Sequence, residues 1–88
     1  MAKYTVLITK SAKKELAKVP EPMRSGLATQ IAALADDPRP YTTKTLHGDL
    51  KGLFWVRQGD WRAYYSIEDA IVTVTVLSVG HRSKIYDR

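Results

Sequence analysis

The sequence predicts a small α+β domain of the order β-α-α-β-β-β, a helical hairpin packed on a small, mostly antiparallel sheet. Three observations carry this. A short β-branched run, Tyr4-Thr5-Val6-Leu7-Ile8-Thr9, comes first; apolar residues at helical spacing follow from Ala12 to Leu34; and from Leu53 three strand-like segments are separated by short turns. Eighty-eight residues suffice for one core and are read as one domain, residues 1–88, with its site on a sheet face or edge.

The first strand is bounded by Lys10-Ser11. Helix one buries Ala12, Leu16 and Val19, with Thr9 or Ser11 placed to cap it and Pro20 to stop it. Its other face carries Lys10, Lys13, Lys14 and Lys18, a pattern that suits a solvated surface. Glu21-Pro22 suits the first turn of helix two, whose buried stripe is Met23, Leu27, Ile31 and Leu34. Asp36-Asp37-Pro38-Arg39-Pro40 ends it. Gly26, inside that helix, costs about 1 kcal/mol relative to alanine, so a close helix crossing or packed neighbour is expected there.

The remaining strands are Leu53 to Arg57, Trp61 to Ile67 and Ile71 to Val79, with turns at Gln58-Gly59-Asp60 and Glu68-Asp69. Connections this short make an antiparallel meander. Alternation sets Arg62, Tyr64 and Ser66 on one face of the middle strand, and Trp61, Ala63, Tyr65 and Ile67 on the face that meets the helices.

Apolar content of 44% and charged content of 26% are those of an ordinary globular chain. Fourteen Lys and Arg against nine Asp and Glu give a net charge of +5, which favours a polyanionic partner. The chain has no cysteine, which excludes disulfides and thiolate chemistry. No run approaches the length of a membrane span, so no membrane association is expected and a cytoplasmic location is the reading.

The chemistry is concentrated between Gly52 and Tyr86. Arg57, Arg62, Arg82 and Lys84 are cations at strand or strand-end positions, and His81 and Tyr86 can each handle a proton. Arginine presents a planar fork that matches two phosphate oxygens, and an aromatic ring beside it offers a surface for a base. Asp49, Asp60, Glu68 and Asp69 fall in predicted turns, so no metal site or cofactor is expected. His47, in a loop, is read as structural.

With these residues in view, the chain resembles the RelE/ParE superfamily of toxins, on the RelE side. The resemblance rests on Lys44-Thr45-Leu46-His47-Gly48-Asp49-Leu50-Lys51-Gly52-Leu53, Arg57-Gln58-Gly59-Asp60-Trp61-Arg62-Ala63-Tyr64-Tyr65 and the ending Val79-Gly80-His81-Arg82 with Tyr86. It implies the toxin of a type II toxin-antitoxin system: a ribosome-dependent mRNA endonuclease acting in the ribosomal A site. It further implies a RelB-like antitoxin encoded nearby that holds the toxin in a hetero-oligomer. Carried over by position, Arg62, Arg82 and Tyr86 are catalytic and Arg57 is a basic position common among relatives. His81 joins the catalytic set, and Lys51, Lys84 and Tyr64 join Arg57 as RNA contacts. The second strand departs from the pattern: Leu53-Phe54-Trp55-Val56 stands where the best-known RelE type has lysines that support proton transfer. The general base is therefore open among Lys51, His81 and Tyr86.

The implied reaction is attack by an RNA 2′-hydroxyl on its neighbouring phosphate, giving a 2′,3′-cyclic phosphate and a 5′-hydroxyl. It requires stabilised phosphorane charge, assigned to Arg62 and Arg82, and a proton acceptor and donor. It also requires in-line alignment, which a surface this small is poorly able to impose and a ribosome can supply. Two rival readings share the fold: a ParE-like inhibitor of DNA gyrase without nuclease activity, and a non-catalytic basic RNA-binding module.

Overall fold

Strand pairing and helix packing explain each other in this protein, whose computed structural model describes residues 3–39, 44–45 and 53–81. The elements are β1 (Thr5–Ile8), α1 (Lys10–Ala17), α2 (Met23–Ala33), β2 (Lys44–Thr45), β3 (Phe54–Gln58), β4 (Trp61–Glu68) and β5 (Thr73–His81). The sheet order is β1-β5-β4-β3-β2. The β3-β4-β5 meander is antiparallel as expected, and β1 closes its far edge by pairing parallel with β5. The two-residue β2, absent from the sequence reading, adds to β3.

Strand ends differ from the expected ones by one or two residues: β1 is a residue shorter at each end, β3 runs Phe54–Gln58, β4 reaches Glu68, and β5 opens at Thr73 and continues past Val79, so that His81 lies in the strand. Ile71 does not open β5; it lies in a 3₁₀ turn over Asp69–Ile71, 62% exposed, because β4 continues through Glu68 and moves the reversal along the chain. Val72 then takes a left-handed φ of 49°, which ends the turn and releases β5.

The helices cover one sheet face. Ala12, Val19, Leu27, Ile31 and Leu34 meet Val56, Ala63, Tyr65, Val74, Val76 and Val79 in a single core, with Trp61 and Ile67 packed against it. Burying a large apolar side chain contributes about 1.5–3 kcal/mol, so this layer dominates stability. Val76 and Val79 share the core despite odd spacing because the β4–β5 register shifts beside Tyr64/Tyr65, leaving Leu77 partly exposed. Beyond Ile8, α1 takes over the edge of β5. Thr9 caps α1 through its hydroxyl, which accepts from the Ala12 amide at 3.1 Å and donates to the Leu77 carbonyl at 3.3 Å. Glu15 accepts from the Val79 amide at 2.9 Å, so a helix carboxylate satisfies a strand donor on the edge of β5 where, among the described residues, the pairing with β1 has ended.

Helix two begins one residue past Pro22, and Glu21 performs the cap: it accepts from the Ser25 amide at 3.0 Å and the Ser25 hydroxyl at 2.7 Å. The Ser25 bonds hold the Glu21 carboxyl below its ordinary pKa. Gly26 has the expected close neighbour. A Cβ there would stand 2.7 Å from Cγ of Gln58, whose carbonyl oxygen is held by Gln30 Nε2 at 3.0 Å. Gln30 Nε2 also donates to the Arg57 carbonyl at 2.7 Å, tying α2 to β3.

Candidate functional site

The β3–β4 hairpin turns through Gly59 and Asp60, with Gly59 at φ 61°, a conformation that glycine adopts without steric penalty. A two-residue loop fixes the register: Arg57 lies opposite Arg62, and Trp55 opposite Tyr64. Cross-strand partners share a face, so these four side chains gather on the side away from the helices.

Their geometry is tight. The Arg62 Cζ lies over the Trp55 ring, 4.1 Å from its centroid, and the Trp55 and Tyr64 rings stack at 6.3 Å with 23° between planes. Arg57 is exposed, whereas Arg62 and Tyr64 retain only 5% and 3% of their exposure. Alternation therefore predicts the face but not the depth, since an arginine opposite the core would ordinarily stand in water. The Tyr64 hydroxyl is buried without a hydrogen-bond partner among the described residues. Such a hydroxyl loses hydration without replacement, at a cost of about 1–3 kcal/mol.

His81 is elsewhere. It pairs with Trp61, its ring meets the Trp61 indole edge-on at 5.3 Å, and its Nε2 lies 3.9 Å from Asp60 Oδ2. Trp61 packs against the core, so His81 occupies the opposite sheet face from Arg62. The structure thus brings Arg57, Arg62 and Tyr64 together and sets His81 apart from them. Lys51, Arg82, Lys84 and Tyr86 lie outside the described residues. Two contacts are not evident from the sequence. Trp55 becomes visible as the partner of Tyr64 and Arg62 once Gly59-Asp60 is counted as a two-residue loop, and the same count brings Asp60 to the strand end beside His81.

A separate polar cluster joins three parts of the chain. Arg39 makes two bonds to Asp69, at 2.9 and 3.1 Å, and Tyr4 donates to Asp69 at 2.6 Å. Arg39, then Tyr4, hold the Asp69 carboxyl down to about 2, and that carboxylate in turn raises the Tyr4 phenol. The cluster braces β1 and the segment after α2 against the β4–β5 turn.

Residues 6–86 match the family model described as the ParE toxin of a type II toxin-antitoxin system, parDE. The chain belongs to this toxin family. Among curated proteins it is similar to toxin RelG of Mycobacterium tuberculosis, 35% identical with 97% of this chain and 98% of the relative covered. Toxin RelE of the same organism is 32% identical over 94% of this chain and 86% of its own length. Among solved structures, the toxin-antitoxin complex RelBE2 of Mycobacterium tuberculosis matches at a TM-score of 0.77, 33% identity and 91% coverage of this chain, 99% of the other. The RelE-RelB complex of Pyrococcus horikoshii matches at 0.78 and 25% identity, covering 93% and 98%. The α+β fold of the toxin is thus that of RelE structures, and these two relatives were solved with an antitoxin. No helix among the described residues is long and apolar enough to cross a membrane.

Proposed function

We propose that this toxin is a ribosome-dependent mRNA endonuclease that cleaves by 2′-hydroxyl attack and is neutralised by a RelB-like antitoxin encoded nearby. One observation carries the reading: the sheet face away from the helices gathers two arginines and two stacked aromatics at one end, Arg57, Arg62, Trp55 and Tyr64. That is the combination a phosphate beside a base requires. The relatives named RelE and RelG point the same way.

In this mechanism Arg62 holds the phosphorane oxygens and Arg57 a flanking phosphate, with Arg82 adding the second charge and Lys84 a further phosphate contact. The nucleophile is the substrate's own 2′-oxygen, so no water need be activated. Its proton must leave and the 5′-oxygen must gain one. With His81 on the Trp61 side of the sheet, Tyr86 and Lys51 are the stronger assignments for those transfers. The ribosome supplies alignment in the A site, and the work takes place in the cytoplasm.

The antitoxin reading draws on the basic face of α1 and an open apolar groove beside β1, lined by Val6, Leu7, Ile8, Thr9, Lys13 and Thr75. An acidic amphipathic segment matches both, and coexpression with the neighbouring reading frame should restore growth and co-purify as a hetero-oligomer.

A second reading is favoured by the name of the matched family model: a ParE-like gyrase inhibitor that cuts no RNA. A cell-free translation reaction with mapping of mRNA 5′ ends, run beside a gyrase supercoiling assay, separates the two. New 5′ ends within translated codons support the nuclease. Intact mRNA with blocked supercoiling overturns it.

A further inference from the structure

We propose that Trp55 is a positioning residue for Arg62, an indole clamp that fixes the guanidinium before phosphate arrives. The inference rests on the nuclease reading for its functional consequence and on the β3–β4 geometry for its substance. An arginine reaches its target through a long flexible stem, and its fork is useful only when the plane is aimed. Here the plane is constrained from one side by an indole 4.1 Å from Cζ. The indole is itself held from the other strand by Tyr64, with ring centroids 6.3 Å apart and planes 23° from parallel. Neither Trp55 nor Tyr64 belongs to the helix-side core, so packing of that core does not account for the stack.

The arrangement suits an anion-binding arginine for a chemical reason. A guanidinium lying on a ring uses its face for the cation–π contact, while its N–H groups lie in its own plane, the direction from which oxygen acceptors approach. A lysine on the same ring would have no such division, because one compact ammonium would serve both contacts. The low exposure of Arg62, 5%, strengthens the contact, since cation–π attraction grows as the cation is withdrawn from water. Register makes the clamp dependable: Trp55 lies opposite Tyr64, and Arg62 is two residues before Tyr64 on the same face.

The test compares Trp55→Phe, which keeps a ring, with Trp55→Leu, which keeps apolar bulk and removes the π face. Both are measured with the full chain in single-turnover cleavage on programmed ribosomes, alone and with Arg62→Lys. The Phe variant should cleave within about threefold of wild type. The Leu variant should lose about thirtyfold in maximal rate, the size of a desolvated cation–π contact, with half-saturation unchanged. Arg62→Lys should cost less in the Leu background than in wild type. A readout independent of cleavage is the upfield ring-current shift of the Arg62 side-chain protons, present in wild type and Phe and lost in Leu.

Equal rates for all three proteins, or a loss appearing only as weaker ribosome binding, would overturn the positioning role. So would an Arg62 without a ring-current shift in wild type. If wild type shows the shift but cleaves no mRNA, the nuclease reading falls and the clamp stands as a structural fact about Arg62.

Discussion

The two faces of β4 are built from alternate residues of one strand, and they reach burial by different chemistry. On the helix side, Ala63 and Tyr65 are both fully buried in a largely aliphatic core, where Tyr65 stacks on Phe54 at 5.9 Å and its hydroxyl donates to the Pro38 carbonyl at 2.9 Å. On the other side, Arg62 and Tyr64 are nearly as deep, yet they sit in a stack of cation and rings, and the Tyr64 hydroxyl has no hydrogen-bond partner among the described residues. A core closes on itself, with its polar atoms matched. The opposite face buries a cation and, among the described residues, leaves the Tyr64 hydroxyl unmatched, so the two faces differ in polar chemistry at nearly equal burial.

Arg62 gives that contrast its severest test. Arg62→Lys keeps the charge and removes the fork, so cleavage on programmed ribosomes should fall by about 10²–10³, the usual consequence of losing a transition-state donor. Circular dichroism should remain that of wild type. Cleavage within about threefold of wild type would make Arg62 a structural cation and return the face to packing.

The neighbouring tyrosines give the next largest effect. Tyr65→Phe leaves the Pro38 carbonyl without its buried donor and should lower stability by about 1–3 kcal/mol in urea unfolding. Tyr64→Phe removes a hydroxyl that has no such bond to lose, so its stability should be equal to wild type or higher, while its stack on Trp55 persists. If both substitutions destabilise alike, the two faces are not chemically distinct.

Periodicity made most of this fold legible. Leu27, Ile31 and Leu34 mark the buried stripe of α2, Thr9 caps α1, and the alternation of β4 assigns its faces as they stand. What escaped depends on contacts between elements. A two-residue β2 has too few side chains to show a period, and the turn at Asp69–Ile71 is set by how far β4 stays paired. The contact of Arg62 with Trp55 is made across the hairpin, and the separation of His81 from Arg62 follows from strand register. In sequence, His81 reads only as a neighbour of Gly80 and Arg82. Arg57, Arg62 and Tyr64 are gathered as one group, while the placement of Arg82, Lys84, Tyr86 and Lys51 lies outside the described residues.

A smaller effect probes the helix side. Gly26→Ala gains about 1 kcal/mol of helix propensity, but the new methyl meets the Gln58 side chain, which Gln30 holds in place. The single substitution should therefore lower the urea midpoint. Adding Gln58→Ala removes the obstacle, so the alanine at 26 should become stabilising in that background. The same sign in both backgrounds would show that close approach does not select the glycine.

The smallest effect concerns the brace at Asp69, whose partner Arg39 also lies over the Phe54 ring, 5.6 Å from its centroid. Its carboxyl has a folded pKa of about 2 against an ordinary 3.8, with the Arg39 bonds the first cause and Tyr4 the second. A depressed folded pKa means the unfolded chain takes up the proton first. The stabilisation is therefore fully present above about 3.8 and is lost as pH falls through about 2. Tyr4 acts with the opposite sign, because its phenol is raised above 10.0 by the Asp69 carboxylate; its contribution is present below 10.0 and fades as pH climbs past the folded value. Asp69→Asn should flatten both ends of the stability profile, at acid pH through the missing carboxyl and at alkaline pH through the missing acceptor charge on Tyr4. The group is exposed, so the change is a modest one and salt should shrink it further. Thermal melts of wild type and Asp69→Asn across these windows check the sign. A mutant that keeps the wild-type acid slope would assign that slope to Glu21, whose carboxyl is also depressed by its bonds to Ser25.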